Sequence, residues 1–384
     1  MRAIIRPGTA RGTVAAPPSK SMAHRLLICA ALAEGESLVR GVDPSEDILA
    51  TADCLTALGA SLVRKGSAVR VRGCDPRKAP PAVLRCRESG STLRFMIPLC
   101  LLSGSAMRLE GSETLLSRPL SVYENLCREH GFTLRRENGG LLVQGRLAPG
   151  EYAVPGSISS QFITGLLFAT TLMEGNCHIN ITGQLESKPY VDMTKQALDV
   201  FNAPDFHSPG QLQVEGDWSN GAFFVASKSL GNEVNILGLN PTSAQGDRIV
   251  VDILEQLQTG MPTVSAADIP DLVPVLAVVA GAKHGAVFTD IRRLRLKESD
   301  RVASTIAMIE SLGGKAQATD NTLTVYGTGY RGGTVDAVND HRIAMAAAIA
   351  STVCREPIAI LGAQCVQKSY PTFWEEFKRL GGKI

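Results

Sequence analysis

The run Pro17-Pro18-Ser19-Lys20-Ser21-Met22-Ala23-His24-Arg25 places hydroxyls and two cations at the start of a helix. The prolines end an extended segment, and Ser19 or Ser21 can cap the helix after them. The apolar run from Leu26 to Ala33 continues that helix until Gly35 stops it. Lys20 and Arg25 fall in the first turns, where the helix dipole already supplies partial positive charge. That placement costs energy unless an anion arrives. Free N–H groups, hydroxyls and cations together make a receptor for phosphate or carboxylate. The competing reading is a solvated lysine and an arginine lying along its own helix.

Other polar starts share this character. They are Ser89-Gly90-Ser91, whose small residues let backbone approach a ligand, and Arg118-Pro119 in a loop. Ser159-Ser160-Gln161 and Ser187-Lys188-Pro189-Tyr190 come next, then Asp271, the run Arg295 to Arg301, Asp340-His341-Arg342 and Lys368-Ser369-Tyr370-Pro371. Each alone has an ordinary explanation as a cap, a loop or a solvated charged face. Asp340-His341-Arg342 is harder to dismiss, because a charged triplet opening an alanine-rich helix serves no evident packing purpose. No P-loop, HExxH or GxSxG motif occurs. One GxGxxG occurs, Gly327 to Gly332, but a short strand rather than a helix comes after it. A dinucleotide site needs that helix start, so the run reads as a hairpin loop.

The elements that must position these groups alternate in kind. Helices opened at Ser19, Gly90, Ser159, Asp217, Asp271 and Asp340 are apolar nearly all round and are expected to be buried, with Asp271 as a helix cap. Amphipathic helices at 45–58, 121–129, 191–200, 247–257 and 299–312 would cover them. Strand-like segments, including a hairpin around Lys65-Gly66, complete a scheme that recurs at roughly 60–75 residues. It reads as a βαβαββ unit in about six copies. A buried helix must still satisfy its first N–H groups. Parallel helices would aim those polar starts at one cleft between two domains, which suits a polyanionic small molecule.

Length and composition agree with that scheme. The 384 residues suffice for two domains of about 190 residues each, with cores of their own. Charged residues are 20% and hydrophobic ones 44%, as in a globular protein. A formal net charge of +2 is too small for bulk nucleic-acid binding, so any positive site is local. Nine cysteines without C-x-x-C spacing argue against metal clusters and disulfide frameworks, and favour reduced thiols in a cytoplasm. The N-terminus lacks the apolar core of a signal peptide, and no apolar run reaches the ~18 residues of a membrane span.

Taken together, the motifs resemble the 5-enolpyruvylshikimate-3-phosphate synthase family. They are Pro-x-Ser-Lys-Ser-x-x-x-Arg, Ser-Gly-Ser-Thr-x-Arg, Ser-Ser-Gln-Phe, Ser-Lys-Pro-Tyr-Val-Asp-Met-Thr, Glu-Gly-Asp-Trp-Ser, Ile-Pro-Asp, Lys-Glu-Ser-Asp-Arg, Asn-Asp-His-Arg-x-Ala-Met and Lys-Ser-Tyr-Pro, in the family's order. The resemblance implies the two-domain α/β enolpyruvyl transferase fold. Each domain would hold three βαβαββ units, with buried helices converging on the interdomain cleft. Residues 14–216 would form one domain, and 1–13 with 217–384 the other. It also implies transfer of the enolpyruvyl group of phosphoenolpyruvate to the 5-hydroxyl of shikimate 3-phosphate, with release of phosphate, in aromatic amino acid biosynthesis.

Residue by residue, the resemblance assigns Lys20, Ser21, Arg25, Ser159, Ser160, Gln161, Ser187, Tyr190, Asp271 and Lys297 to shikimate 3-phosphate. Ser159, Ser160 and Ser187 would take its phosphate, Arg25 its carboxylate and Tyr190 its ring. Lys20, Gly90, Arg118, Gln161, Arg301, Arg342 and Lys368 would surround phosphoenolpyruvate. Asp271 looks like the base on the hydroxyl. Lys20 or Glu298 would protonate the methylene, Lys20 or Lys368 would stabilise the departing phosphate, and His341 would orient Glu298. No metal or organic cofactor, nucleic acid or membrane is implied, and a monomer is expected. Two positions depart from the pattern. Glu88 and Arg293 stand where an asparagine is usual, and Glu88 would pair with a neighbour such as Arg87.

Two rival readings remain. The sister transferase acting on UDP-N-acetylglucosamine usually has Lys-Asn in place of Lys20-Ser21, and a cysteine-bearing loop before its Arg-Pro, whereas Glu113 to Ser117 here holds none. A non-catalytic anion-binding protein would leave the base and acid groups without a task.

Overall fold

The computed structural model describes residues 1–201 and 206–384. The chain divides into two compact units, one of Pro18–Glu215 and one of Met1–Pro17 with Gly216–Ile384. The first crossing therefore comes after Pro17 rather than at residue 13. Strand Arg11–Ala15 pairs in parallel with Glu233–Leu237, and Ala16 N donates to Leu237 O, so the chain stays in the second unit up to the prolines. Gly216 belongs to the same unit on the return, one residue earlier than expected.

In Pro18–Glu215, one sheet has the order Gln211–Gln213, Glu36–Arg40, Ala68–Arg72, Ser61–Lys65, and a second the order Val83–Arg85, Met107–Glu110, Gly140–Gln144, Thr133–Glu137. Glu151–Pro155 and His178–Thr182 form a parallel pair. In the other unit, Thr263–Ser265, Gly285–Thr289, Thr322–Tyr326 and Lys315–Ala318 make a third four-stranded sheet. Arg2–Ile5, Ile358–Leu361 and Gly333–Asp336 make a three-stranded one. The three four-stranded sheets share one pattern: a parallel pair, then an antiparallel neighbour that closes a hairpin. A parallel pair needs a long crossover, whereas a hairpin needs only a turn.

The apolar helices are the core. Lys20–Leu32, Gly90–Cys100 and Ser160–Thr170 lie in one unit; Trp218–Ser229, Val273–Ala282 and His341–Ala350 lie in the other. All ten residues of His341–Ala350 are buried, as is every residue from Met22 to Leu32. Trp218–Ser229, Val273–Ala282 and His341–Ala350 pack pairwise on one another. An alanine-rich helix suits that position, because small side chains let neighbouring backbones approach closely.

The glycine run Gly327 to Gly332 is not a hairpin loop. It carries the chain from Thr322–Tyr326 in one sheet to Gly333–Asp336 in another. Tyr330 in its middle is buried, and its hydroxyl lies 3.2 Å from Ala277 O and 3.0 Å from Val278 O. A Cβ at Gly281 would sit 2.1 Å from that hydroxyl, so glycine is what lets the loop lie against the buried helix.

Candidate active site

The residues singled out in Pro18–Glu215 gather at helix starts. Ser19 caps Lys20–Leu32 by accepting from Met22 N at 3.3 Å. Lys20 Nζ reaches Asp47 Oδ2 at 2.6 Å, so part of its charge is already met within the protein. Arg25 is 3% exposed. Its Nε donates to Thr194 Oγ1 (2.9 Å), Nη1 to Ser21 O (2.7 Å) and Nη2 to Tyr190 O (2.7 Å). The guanidinium also stands 5.9 Å from the Tyr190 ring centre, within cation–π range. Burial lowers its pKa to about 10, with Tyr190 opposing.

Ser159 and Ser160 come after one strand of the parallel pair and Ser187 after the other. The turns between are joined by Glu186 N donating to Gly156 O at 3.2 Å. Two helices, Ser160–Thr170 and Lys188–Phe201, start there, which puts three serines at helix starts, and the Ser159 hydroxyl accepts from Gln161 N at 3.3 Å. Ser187 has φ +55°, a left-handed conformation that costs a non-glycine residue roughly 1–3 kcal/mol. Strain of that kind at a helix start fits a position fixed by function.

Gln161 accepts from Arg94 Nη1 at 2.6 Å and donates to Ser91 Oγ at 2.9 Å, which ties the Ser160 helix to the Gly90 helix. Arg118 lies over Gly90, since a Cβ there would be 2.6 Å from Arg118 Nη1. Ser89 caps this helix, accepting from Thr92 N (3.2 Å) and Thr92 Oγ1 (2.8 Å). Behind it runs a buried chain in which Thr92 Oγ1 meets Thr51 Oγ1 and Thr51 meets His24 Nδ1, each at 2.7 Å. Among the described residues His24 Nε2 has no hydrogen-bond partner, and burial pushes the ring down to about 3. A proton on Nε2 would be an unmet buried donor, so the neutral ring is assigned its proton on Nδ1. Arg87, the suggested partner of Glu88, pairs with Glu46 (2.5 Å) and Asp53 (2.7 Å), which reach it from the adjacent helix.

The second unit holds an ion cluster centred on Arg301, which is 1% exposed. Its Nε donates to Asp340 Oδ2 (2.8 Å), its Nη2 to Glu298 Oε2 (2.6 Å) and its Nη1 to Asp271 Oδ1. Asp340 explains the charged triplet. One oxygen caps His341–Ala350 through Arg342 N at 2.9 Å, and the other takes Arg301 and Ser299. Arg342 Nη1 donates to Ser219 O (2.8 Å) and Asn220 Oδ1 (3.2 Å), and its Nη2 lies 3.6 Å from Asp271 Oδ2. Lys368 Nζ donates to Asn339 O at 3.0 Å. His341 is buried, and Glu298 is held by Arg301.

Asp271 is not the helix cap expected from its position. Leu272 is the N-cap residue of Val273–Ala282, without a side-chain hydrogen bond. The Asp271 carboxylate turns instead to Arg301, to Lys297 at 3.4 Å and to Arg342. Burial pushes its pKa up, but these three cations outweigh it and hold the carboxyl well below its usual range. Burial pushes Lys297 down, Asp271 opposes, and Arg301 and Arg293 add repulsion. The Arg293 departure therefore brings a charge where an asparagine would bring none. Sequence reasoning did not foresee Asp47, Thr194, Arg94 or Asn220, whose partners are distant in the chain.

The family model for EPSP synthase (3-phosphoshikimate 1-carboxyvinyltransferase) matches residues 5–377. The chain belongs to the EPSP synthase family. A 3-phosphoshikimate 1-carboxyvinyltransferase of Clostridium kluyveri is 38% identical over 99% of this chain and 97% of its own. One of Clostridium acetobutylicum is 36% identical over 99% and 97%. An EPSP synthase structure from Acinetobacter baumannii matches with a TM-score of 0.80 at 24% identity, over 99% of this chain and 98% of that one, which establishes the shared fold. Among the described residues, no helix is long and apolar enough to cross a membrane.

Proposed function

We propose that this chain transfers the carboxyvinyl group of phosphoenolpyruvate to the 5-hydroxyl of shikimate 3-phosphate, acting as a monomer in the cytoplasm. The family match across residues 5–377 carries this reading. Ser159, Ser160 and Ser187 would hold the shikimate phosphate at the paired helix starts, Arg25 its carboxylate and Tyr190 its ring. Ser21, Gln161 and Lys297 would complete the acceptor's contacts. Lys20, Gly90, Gln161, Arg118, Arg301, Arg342 and Lys368 would receive phosphoenolpyruvate. Planar arginines suit its carboxylate and phosphate better than lysines would.

The hydroxyl oxygen adds to the enol carbon and gives its proton to Asp271, while the methylene carbon takes a proton from Lys20 or Glu298. The tetrahedral adduct then returns a methyl proton to the group that supplied it, Lys20 or Glu298, and its C–O bond to phosphate breaks with the electrons leaving on phosphate. Lys20 or Lys368 would stabilise that leaving group. A carboxylate held as low as Asp271 is a weak base in the empty protein. Bound anions would draw the charge of Lys297 and Arg342 away from it and strengthen it for the reaction. The test is product analysis. Incubation with both substrates should give one carboxyvinyl ether and one phosphate per turnover. Binding of both substrates without any product would overturn the reading.

A further inference from the structure

Asp247 lies in the turn Gly246–Ile249 before the helix Val250–Thr259 and is 3% exposed. Its Oδ2 accepts from the Ser219 hydroxyl, while its Oδ1 has no hydrogen-bond partner among the described residues. Ser219 also gives its carbonyl to Arg342 Nη1, so one residue links Asp247 to Arg342. Arg342 is 4% exposed, and its Nε likewise has no hydrogen-bond partner among the described residues. Two buried polar atoms beside one serine are thus left open, one on an acid and one on a cation.

Three charged groups act on Asp247, one at the start of each central helix. Asp217 caps Trp218–Ser229, Asp271 precedes Val273–Ala282, and Arg342 opens His341–Ala350. Around Arg301 the ion pairs set Lys297, Arg301 and Arg342 against Asp271, Glu298 and Asp340, and Arg293 adds its charge beside Lys297. An ionised Asp247 would add a fourth carboxylate to a cluster assigned to an anion. Burial and the Asp271 charge push its pKa up to about 7, against the Ser219 hydrogen bond and Arg342.

We propose that Asp247 sets the pH dependence of anion binding at Arg342. As the neutral acid it holds Ser219 and leaves the guanidinium charge to the ligand, and as the carboxylate it competes with the ligand for that charge. The inference rests on Arg342 receiving the enol phosphate-carboxylate substrate. Its consequence is that a rise in pH weakens anion binding through Asp247, a dependence that the ligand's own ionisation does not contain.

The KM for phosphoenolpyruvate at saturating shikimate 3-phosphate, measured from pH 6 to 8.5 with kcat followed alongside, tests this in the wild type and Asp247→Asn. The asparagine keeps the shape and the acceptor for Ser219 but has no proton to lose. The two KM values should agree at pH 6, and that of the wild type should be higher by roughly tenfold at pH 8.5, the linkage for one group titrating near 7. A wild-type to variant KM ratio constant within twofold would overturn the proposal. Should Asp247→Asn fail to fold, Ser219→Ala serves. Loss of the hydroxyl favours the neutral acid, so the wild-type weakening should move to higher pH, and an unmoved midpoint would overturn the proposal. Absence of turnover at any pH in the wild type would instead overturn the assignment of function on which it rests.

Discussion

Replacing Asp271 with asparagine removes one carboxylate from the Arg301 cluster and leaves the shape unchanged. Because Asp271 does not cap its helix, the cost in stability is not that of a lost cap. Arg301 keeps Asp340 and Glu298, so it is not left as an uncompensated buried charge, a loss that would cost about 3–5 kcal/mol. The variant loses one charge-assisted hydrogen bond and the attraction of Lys297 and Arg342, on a side chain 19% exposed. About 1–2 kcal/mol is then expected, a fall in melting temperature of roughly 2–8 °C. The folded pKa of Asp271 is depressed, so its contribution is present above the unfolded value near 4 and is lost as pH falls below it. The gap between the two proteins should narrow in acid. Turnover should fall much further, by ~10²–10⁴, the usual worth of a positioned base, while shikimate 3-phosphate still binds. Thermal unfolding, ligand titration and phosphate release on one preparation separate the effects. A folded variant that turns over within a few-fold of wild type would make Asp271 a counter-ion and no base.

Two further outcomes concern the other unit. Gly90→Ala would place a methyl carbon 2.6 Å from Arg118 Nη1, so the guanidinium must move. Affinity for phosphoenolpyruvate should drop toward the ~2–4 kcal/mol loss expected for Arg118→Ala, with shikimate 3-phosphate binding nearly unchanged, and equal loss of both ligands in titrations would refute the placement. His24, with its folded pKa depressed to about 3, contributes fully above its unfolded value near 6.5, and that contribution drains away as pH falls toward 3. Acid unfolding of His24→Asn should therefore lack a loss of roughly 4–5 kcal/mol seen in the wild type between those limits, and identical acid transitions would show that His24 is not buried neutral.

The six apolar helices were legible because their burial is written into every turn, and Ser19, Ser89, Ser159, Asp217 and Asp340 do cap five of them. Asp271 misled because a carboxylate ahead of an apolar run looks like a cap, whereas Arg301, distant in sequence, claims it. The Lys20 pairing was hidden for the same reason, since Asp47 comes from the next helix. Short strands such as Gln211–Gln213 have no periodicity to read, and this one joins Glu36–Arg40 only through long-range pairing. Asp247 begins the segment 247–257 that reads as an amphipathic helix, but it lies in a tight turn ahead of that helix and is buried.

The central claim is tested most directly by acceptor choice. Phosphate release from phosphoenolpyruvate is followed with shikimate 3-phosphate or with UDP-N-acetylglucosamine as the only acceptor. Catalytic phosphate release is expected with shikimate 3-phosphate, and only background with the nucleotide sugar. Release with the nucleotide sugar, or with neither acceptor in a folded protein, would contradict the assignment.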